Sequence, residues 1–402
     1  MLTSVLLLTL LAQDFEQRGF IENQALGFPQ DAPNDSAQVV DSALLRWEAS
    51  YKPAPWIKFA GAFDARADTH KQVSRDAAVT WDDRTIQRPA LALREFNLTL
   101  HKGVATAEFG RQLVRWGKTD ILTPTDRFAP QDYLSSVVNS DFLGVNAARV
   151  TFAGATDSLD LVWEPHFTPS RTPLLNQRWT ALPPEAAGLV IVDGGARYPG
   201  RGQFGARWNH VNTGYEFSLS YFDGFNHLPN FDISLNPKAP VATVQRFYPQ
   251  MSMVGADAAV QLPWFTVKGE AGYFRSKTTG TQDYVLYVIQ VERQVKEWSL
   301  VGGYAGDAAT RGAANPAAFD PERGFAKSFV GRVAYTIDVN RSLAVETAIR
   351  GGGSFLRFEY AQTFGQHWRI TPGVAWIHGD MADFLGQYHR NSYLTLALRY
   401  SF

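Results

Sequence analysis

The last eleven residues, Ser392 to Phe402, constrain this chain most. From Leu394 onward they alternate. Leu394, Leu396, Leu398, Tyr400 and Phe402 fall on one face, and Thr395, Ala397, Arg399 and Ser401 on the other. Period two marks a β-strand, because successive side chains point to opposite faces. One face here is apolar or aromatic throughout, so the strand expects an apolar medium on one side and water on the other.

The rest of the chain repeats the pattern. Short alternating runs separated by turn residues predict strands near 15–27, 39–52, 55–67, 87–101, 103–112, 144–154, 157–165, 203–211, 214–223, 248–262, 264–275, 283–294, 297–306, 326–338, 341–350, 353–363, 367–378 and 390–402. That is eighteen, with sixteen as the alternative because the first two are weakly patterned. The lengths suit strands that cross a bilayer at a tilt, about 9–11 residues plus extensions.

The connections alternate as well. One set is tight, as in His101-Lys-Gly103, Asn212-Thr-Gly214 and Leu262-Pro-Trp264. The other is mostly long: 28–38, 68–86, 113–143, 166–202, 224–247, 307–325 and 379–389, with two short members near 276–282 and 351–352. Short turns at one end and long loops at the other are the pattern of transmembrane barrels. A soluble sandwich has no reason to sort its loops this way. The expected fold is therefore all-β, a single transmembrane antiparallel β-barrel over 13–402. No fixed repeat period and no apolar run of membrane-helix length occur. The first apolar run, Met1 to Leu11, resembles the hydrophobic core of a secretory signal, with Ala12 as cleavage point, so 1–12 is expected to be a signal remnant. No basic segment precedes it, so either the true start lies upstream or the signal is atypical.

Charge decides which face is the lumen. An Arg or Lys facing lipid at the midplane costs about 2–4 kcal/mol, so the charged face must point inward. The inward basic set is Arg149, Arg207, Lys268, Arg332, Arg350, Arg357, Arg369 and Arg399. The acidic set is Asp160, Glu164, Glu216, Asp257, Glu270, Glu292, Glu346 and Glu359. The two are equally long. A pore for anionic polymers would show a strong cationic excess, so strict anion selectivity is not expected. Each side chain either meets solute or pairs across the wall and keeps the lumen hydrated; pairing is the commoner fate.

Residues 110–133 are the segment most marked for function. After the strand ends near Gln112 come charges, Pro124 and Pro130, Gly117, Trp116, Phe128 and Tyr133. Loops this long are functional or disordered, and the proline and aromatic content favours order. The expectation is an inward-folded loop that narrows the channel, with Arg111, Arg115, Trp116, Lys118, Asp120, Asp126, Arg127 and Asp132 at the constriction. These same charges can instead pin the loop to itself and to the wall. In loop 166–202, Phe167, Pro173, Leu174, Leu175, Trp179, Pro183, Pro184 and the apolar Leu189 to Val192 mark either a lid against the rim or a path for a hydrophobic solute.

Two resemblances follow. The aromatic C-terminal strand resembles the closing strand of bacterial outer-membrane barrels, in which the terminal Phe is part of the insertion signal. The pattern of Gly110, Arg111, Gln112, Trp116, Gly117, Asp120, Pro124, Asp126, Arg127, Pro130 and Asp132 resembles an uncharacterised outer-membrane barrel family known only as a domain of unknown function. More loosely, it resembles the alginate-export-like porins. Both imply a barrel in the bacterial outer membrane, surrounded by its lipid and lipopolysaccharide, inserted by the barrel-assembly machinery and passing a small solute. The cationic lumen of alginate exporters is absent here, which argues against alginate.

Other chemistry finds little support. With no cysteine, the chain has no disulfide, thiolate metal site or haem-attachment motif. Gly117-Lys118-Thr119 fails as a phosphate loop because position 112 is Gln, not Gly. No zinc-protease or nucleophile-elbow motif occurs. His378, Asp380, Asp383 and His389 cluster in sequence, but without metal-ligand spacing. A net charge of −1 without a long basic run speaks against nucleic acid. No catalytic residue, cofactor or metal is expected. The preferred function is a porin-like channel; the alternatives are a rim enzyme resembling lipid hydrolases, or a plugged receptor or adhesin barrel.

Overall fold

The computed structural model describes residues 15–75, 83–181, 186, 188–313 and 318–402. The expected signal remnant, 1–12, lies outside the described residues, as do Pro183 and Pro184. Eighteen strands form one sheet. In chain order they are β1 (Phe15–Gly27), β2 (Val39–Ala54), β3 (Ile57–Asp68), β4 (Leu91–Lys102), β5 (Ala105–Gln112) and β6 (Val145–Ala153). Then come β7 (Asp157–Glu164), β8 (Gln203–Asn212), β9 (Tyr215–Phe225), β10 (Gln250–Gln261), β11 (Thr266–Ser276) and β12 (Asp283–Val295). The last six are β13 (Trp298–Arg311), β14 (Ser328–Asp338), β15 (Arg341–Ile349), β16 (Gly353–Phe364), β17 (Trp368–Gly379) and β18 (Tyr393–Ser401).

Each strand pairs antiparallel with its chain neighbours. The sheet closes where β18 meets β1, with Ser401 opposite Phe20 and Leu394 opposite Gly27. Gly19 and Phe402 exchange two further backbone hydrogen bonds of 2.9 Å. Closure removes both sheet edges, the requirement for spanning lipid with strands. The tight connections gather at one end. Two of them turn on glycines in the left-handed region, Gly103 (φ 62°) and Gly214 (φ 83°), where a side chain would be strained.

The outer face is apolar. Leu159, Leu219, Val254, Ile289, Leu356, Leu394, Leu396 and Leu398 all stand exposed on it. Aromatics mark its two margins. Trp56, Trp264, Trp298 and Trp368 lie beside the tight turns, whereas Trp163, Phe204, Tyr221, Phe329 and Trp376 lie near the long-loop ends of their strands. Two such girdles bracket the hydrocarbon band of transmembrane barrels. The structure departs from the sequence expectation mainly at β13, which runs five residues past 306. There Gly306, Ala308 and Ala309 give no alternation, yet pairing with β12 continues to Arg311.

Two apolar clusters lie inside the wall. One joins Val114, Trp116 and Phe128 of the β5–β6 loop to Phe222, Met253 and Phe274 of the wall. The other gathers Phe28, Trp179, Leu385 and Tyr388 of the long loops onto Phe355 and Ile377.

Leu396 faces lipid and Arg399 faces the lumen, so substitutions at the two should behave oppositely. Leu396→Arg is expected to block assembly, at a cost of about 2–4 kcal/mol near mid-bilayer, while Arg399→Leu still yields a heat-modifiable barrel on a gel. Equal folding yields would contradict the facing assignment.

Candidate functional site

The β5–β6 loop, 113–144, enters the barrel and lies along the inner wall of β7 to β12. One wall residue organises it. The Glu270 carboxylate accepts from Lys118 N (2.7 Å), Thr119 N (3.0 Å) and Thr119 Oγ1 (3.0 Å) on one oxygen. On the other it accepts from Thr125 N and Thr125 Oγ1, both at 2.8 Å. Five donors on one buried carboxylate fold the loop around it. Hydrogen bonds to a charged group contribute about 1.5–3 kcal/mol each, and an unmatched buried carboxylate costs more than that.

Neighbouring strands add struts. Trp116 donates its indole N–H to Asp160 (2.8 Å), which also takes Arg149 (2.8 Å). Arg207 donates to the Trp116 carbonyl, to Ser218 (2.9 Å) and to Asp257 (3.0 Å). Lys118 pairs with Glu216 at 2.7 Å. Asp120 exchanges two hydrogen bonds with Gln290 (3.0 and 2.7 Å) and sits 3.4 Å from Lys268, which also holds Glu292 at 2.5 Å. Within the loop, Asp126 accepts from the Trp116 and Gly117 amides and from Arg115 (3.1 Å). The loop can come this close because the wall beneath it lacks side chains. A Cβ at Gly205 would lie 2.7 Å from the Trp116 and Phe128 rings, and one at Gly255 would lie 2.8 Å from Thr125 Cγ2.

The far end of the loop is held by a chain of buried charges. Asp132 takes Arg88 (2.8 Å) and Arg171 (3.1 Å); Arg171 also reaches Asp83, which takes Arg111 at 2.8 Å. Burial alone would raise Asp132, but Arg88 and Arg171 outweigh it and hold the carboxyl well below the usual range. Arg127 pairs with Glu322 at 2.8 Å, on the short helix α1 (Pro321–Phe325) of the β13–β14 loop.

The structure thus divides the loop residues marked in the sequence. Arg111, Asp126, Arg127 and Asp132 are buried pins, Trp116 is a packing anchor, and Lys118 is tied to the wall. Arg115 and Asp120 are the most open, at 46% and 63% side-chain exposure. The wall residues divide too. Asp160, Arg149, Arg207, Glu216, Asp257, Lys268, Glu270 and Glu292 lie under or beside the loop. Glu164 is sealed at the top of β7 by the Thr168 amide (3.1 Å) and Gln203 (2.9 Å). Arg350 is a rim strut to Asp383 (2.9 Å) and to the carbonyls of Gly324 and Ala326.

The wall away from the loop carries an ion-pair belt. Arg332 meets Glu346 (3.2 Å), Glu346 meets Arg357 (3.5 Å), and Arg357 meets Glu359 (2.9 Å). Arg399 meets Glu22 at 2.6 Å, whereas the buried trio of Asp64 with Arg46 (2.7 Å) and Arg66 (2.8 Å) sits against the loop, Arg46 lying 3.7 Å from its Asp141. Arg369 stands opposite Arg399 in the ladder and has no carboxylate partner among the described residues. Partly exposed pairs of this kind add little stability; their effect is to keep the lumen polar. Asp383, one of the four residues clustered near 378–389, belongs to Arg350. No group of three or more His, Cys, Asp or Glu among the described residues is placed to hold a metal.

Sequence reasoning missed several pins. Asp64 and Arg66 alternate inward on β3 and were findable by the parity rule. Asp83 and His227 sit in aperiodic loops and carry no such signal, and Arg88 falls just outside a strand that begins at Leu91 rather than at the expected 87.

No family model matches the chain, and no curated protein does. Solved structures match over nearly the whole length. OccAB4 of Acinetobacter baumannii covers 97% of this chain and 98% of its own, at 11% identity and a TM-score of 0.59. OccK3 (OpdO) of Pseudomonas aeruginosa covers 98% and 97%, at 10% identity and a TM-score of 0.57. A BenF-like porin from Pseudomonas fluorescens Pf-5 covers 97% and 98%, at 9% identity and a TM-score of 0.57. At such identities the likeness establishes the fold: a closed eighteen-strand barrel of the outer-membrane porin type.

Two tests follow from this geometry. Glu270→Ala removes five acceptor contacts and should free 117–126, at a loss of about 3 kcal/mol. Faster amide exchange confined to that segment is the expected result; unchanged exchange would mean that other struts suffice. His227 bridges two loops, its ring nitrogens 2.6 Å from the Thr168 carbonyl and 2.9 Å from that of Arg127. Burial pushes its pKa down to about 4 despite those carbonyls. A histidine kept neutral when folded stabilises above its unfolded pKa of about 6.5, and that contribution is lost as pH falls toward 4. Protease cleavage within 166–181 should therefore rise over that window, and His227→Gln should flatten the rise.

Proposed function

We propose that this chain is an outer-membrane channel passing small or amphipathic solutes through a lumen constricted by loop 113–144. The long-loop end faces outward, as is usual for such barrels. The observation that carries the reading is the loop itself. It is ordered, folded inward and held by wall carboxylates and amides rather than spread over the rim. An eighteen-strand barrel leaves an aqueous channel unless loops fill it. Here one loop is fastened along β7 to β12, and the facing wall keeps its exposed ion pairs.

One of the structural matches is named a porin, and we carry a channel role over from that name together with the inserted loop. The loop and lumen assignments made from sequence belong to the same proposal. Arg115 and Asp120 border the opening, and the belt through Arg332, Glu346, Arg357, Glu359, Arg369 and Arg399 lines the wall across from them. Alternating charges of both signs give weak ion selectivity. Lipid and lipopolysaccharide surround the outer face, and the barrel-assembly machinery inserts the chain.

Deleting 116–128 tests the constriction. Single-channel conductance in a planar bilayer is expected to rise severalfold over the intact protein. Unchanged conductance in a correctly folded variant would contradict it.

A further inference from the structure

The outer wall changes character where β13 outruns its neighbour. β13 pairs with β12 as far as Arg311, but with β14 only as far as Ala305, opposite Ser328. Along 306–311 its β14 side has no strand partner among the described residues, which leaves a short edge at the long-loop end. Strand parity sets the outward side chains beside it. Val254 and Ile289 face lipid, and so therefore do Tyr273, opposite Val254, and Tyr287, two residues before Ile289. Tyr287 lies over Gly306, where a Cβ would collide with its ring, and its centroid is 6.4 Å from that of Tyr304. Tyr304 in turn stands 5.1 Å from Phe329. Four aromatic rings thus border a shallow recess of small residues, Gly306 and Ala308, within the long-loop girdle.

Charge supplies a second, independent observation. Arg275, two residues beyond Tyr273 on the same face, is exposed, as is Lys277 in the β11–β12 turn. Neither has a carboxylate partner among the described residues. Arg311 pairs with Asp283 at 2.9 Å, but its side chain is 68% exposed and that of Asp283 only 3%. The other carboxylates near these strand ends are withdrawn as well. Asp307 and Glu322 are each 11% exposed and paired with arginine, and Asp320 borders the cavity inside the barrel mouth. Arg275 also touches the rim of that cavity, while strand parity turns it outward. Three cations therefore crown an aromatic recess with no open carboxylate beside them among the described residues. Phosphate suits the guanidinium and ammonium groups, and acyl chains suit the rings and small residues below.

We propose that this sector of the outer wall holds one phosphorylated glycolipid of the outer leaflet, lipopolysaccharide, by a phosphate of its lipid A. The proposal rests on the outward-facing long-loop end of the reading above, not on conduction. Arg275, Lys277 and Arg311 take the phosphate. An acyl chain lies in the recess against Tyr287 and Ala308. The lipid shields the side of β13 that β14 leaves unpaired.

The test is native mass spectrometry of the full chain in detergent. The probes are lipid A, lipid A stripped of both phosphates, and glucose 1-phosphate as a soluble competitor. One lipid A per chain is expected to stay bound, about tenfold tighter than the stripped form. Arg275→Gln combined with Lys277→Gln should weaken it about tenfold. Lys238→Gln, at an exposed lysine of the β9–β10 loop, should leave it unchanged. Equal binding of the stripped form, or a double variant that binds like the native chain, would overturn the site. Displacement by glucose 1-phosphate as readily as by lipid A would overturn the lipid as its occupant. Orientation is read separately. The chain has no cysteine, so Thr279→Cys in the exposed β11–β12 turn gives a unique site for an impermeant maleimide on intact cells. Labelling without selective lipid binding overturns the site only. Labelling that appears only after lysis reverses the barrel and takes the site out of that leaflet, overturning orientation and site together.

Discussion

Everything in this molecule depends on one ladder, the pairing of Phe20–Gly27 with Leu394–Ser401. It converts a long meander into a closed wall. Without it, β1 and β18 would present unpaired amides and carbonyls to hydrocarbon, where no water can satisfy them. With it, every strand has two partners, and side-chain parity alone decides what faces lipid and what faces water. The aromatic alternation of the last strand and the charged alternation of its inner face are two consequences of the same closure.

Closure also creates the setting in which one carboxylate can shape a loop. Glu270 lies on the inner face of β11, under the inserted loop. An acidic side chain on that face could simply be hydrated or matched by a cation, as Glu346 is matched by Arg332. Instead, the backbone of residues 118–125 wraps around it. The loop approaches so closely because Gly205 and Gly255 leave room on the wall, and Trp116 and Phe128 fill that room. Polar pinning and apolar packing act together, giving an ordered inserted loop rather than a mobile flap. The charge chain from Arg111 through Asp83, Arg171 and Asp132 to Arg88 fixes the far end of the same loop.

Much of this was legible in the sequence, for physical reasons. Strands in a barrel wall meet lipid on one side and water on the other, so each records its own orientation in its residues. All eighteen appear near their expected places. Partners were not legible. Glu270 is about 150 residues from the amides it holds, and nothing local announces such a bond. The same ambiguity hid the division of the marked loop charges into buried pins such as Asp132 and open ones such as Asp120. The three-stranded loop sheet of Val190–Arg197, Val241–Phe247 and Asn230–Leu235 was missed because its first two strands pair in parallel. Leu189 to Val192 reads as an apolar patch, with no hairpin turn to join it to the strand about fifty residues on.

A channel of the kind proposed requires that the folded barrel enclose a continuous, narrowed, charge-balanced water path. The most direct measurement is the single-channel current of the intact protein across a planar bilayer under a salt gradient. Steady conduction is expected, with a reversal potential near zero that reflects weak ion selectivity. A silent bilayer from heat-modifiable, folded protein would contradict an open lumen. A reversal potential close to the ideal value for one ion would contradict a lumen with balanced charge.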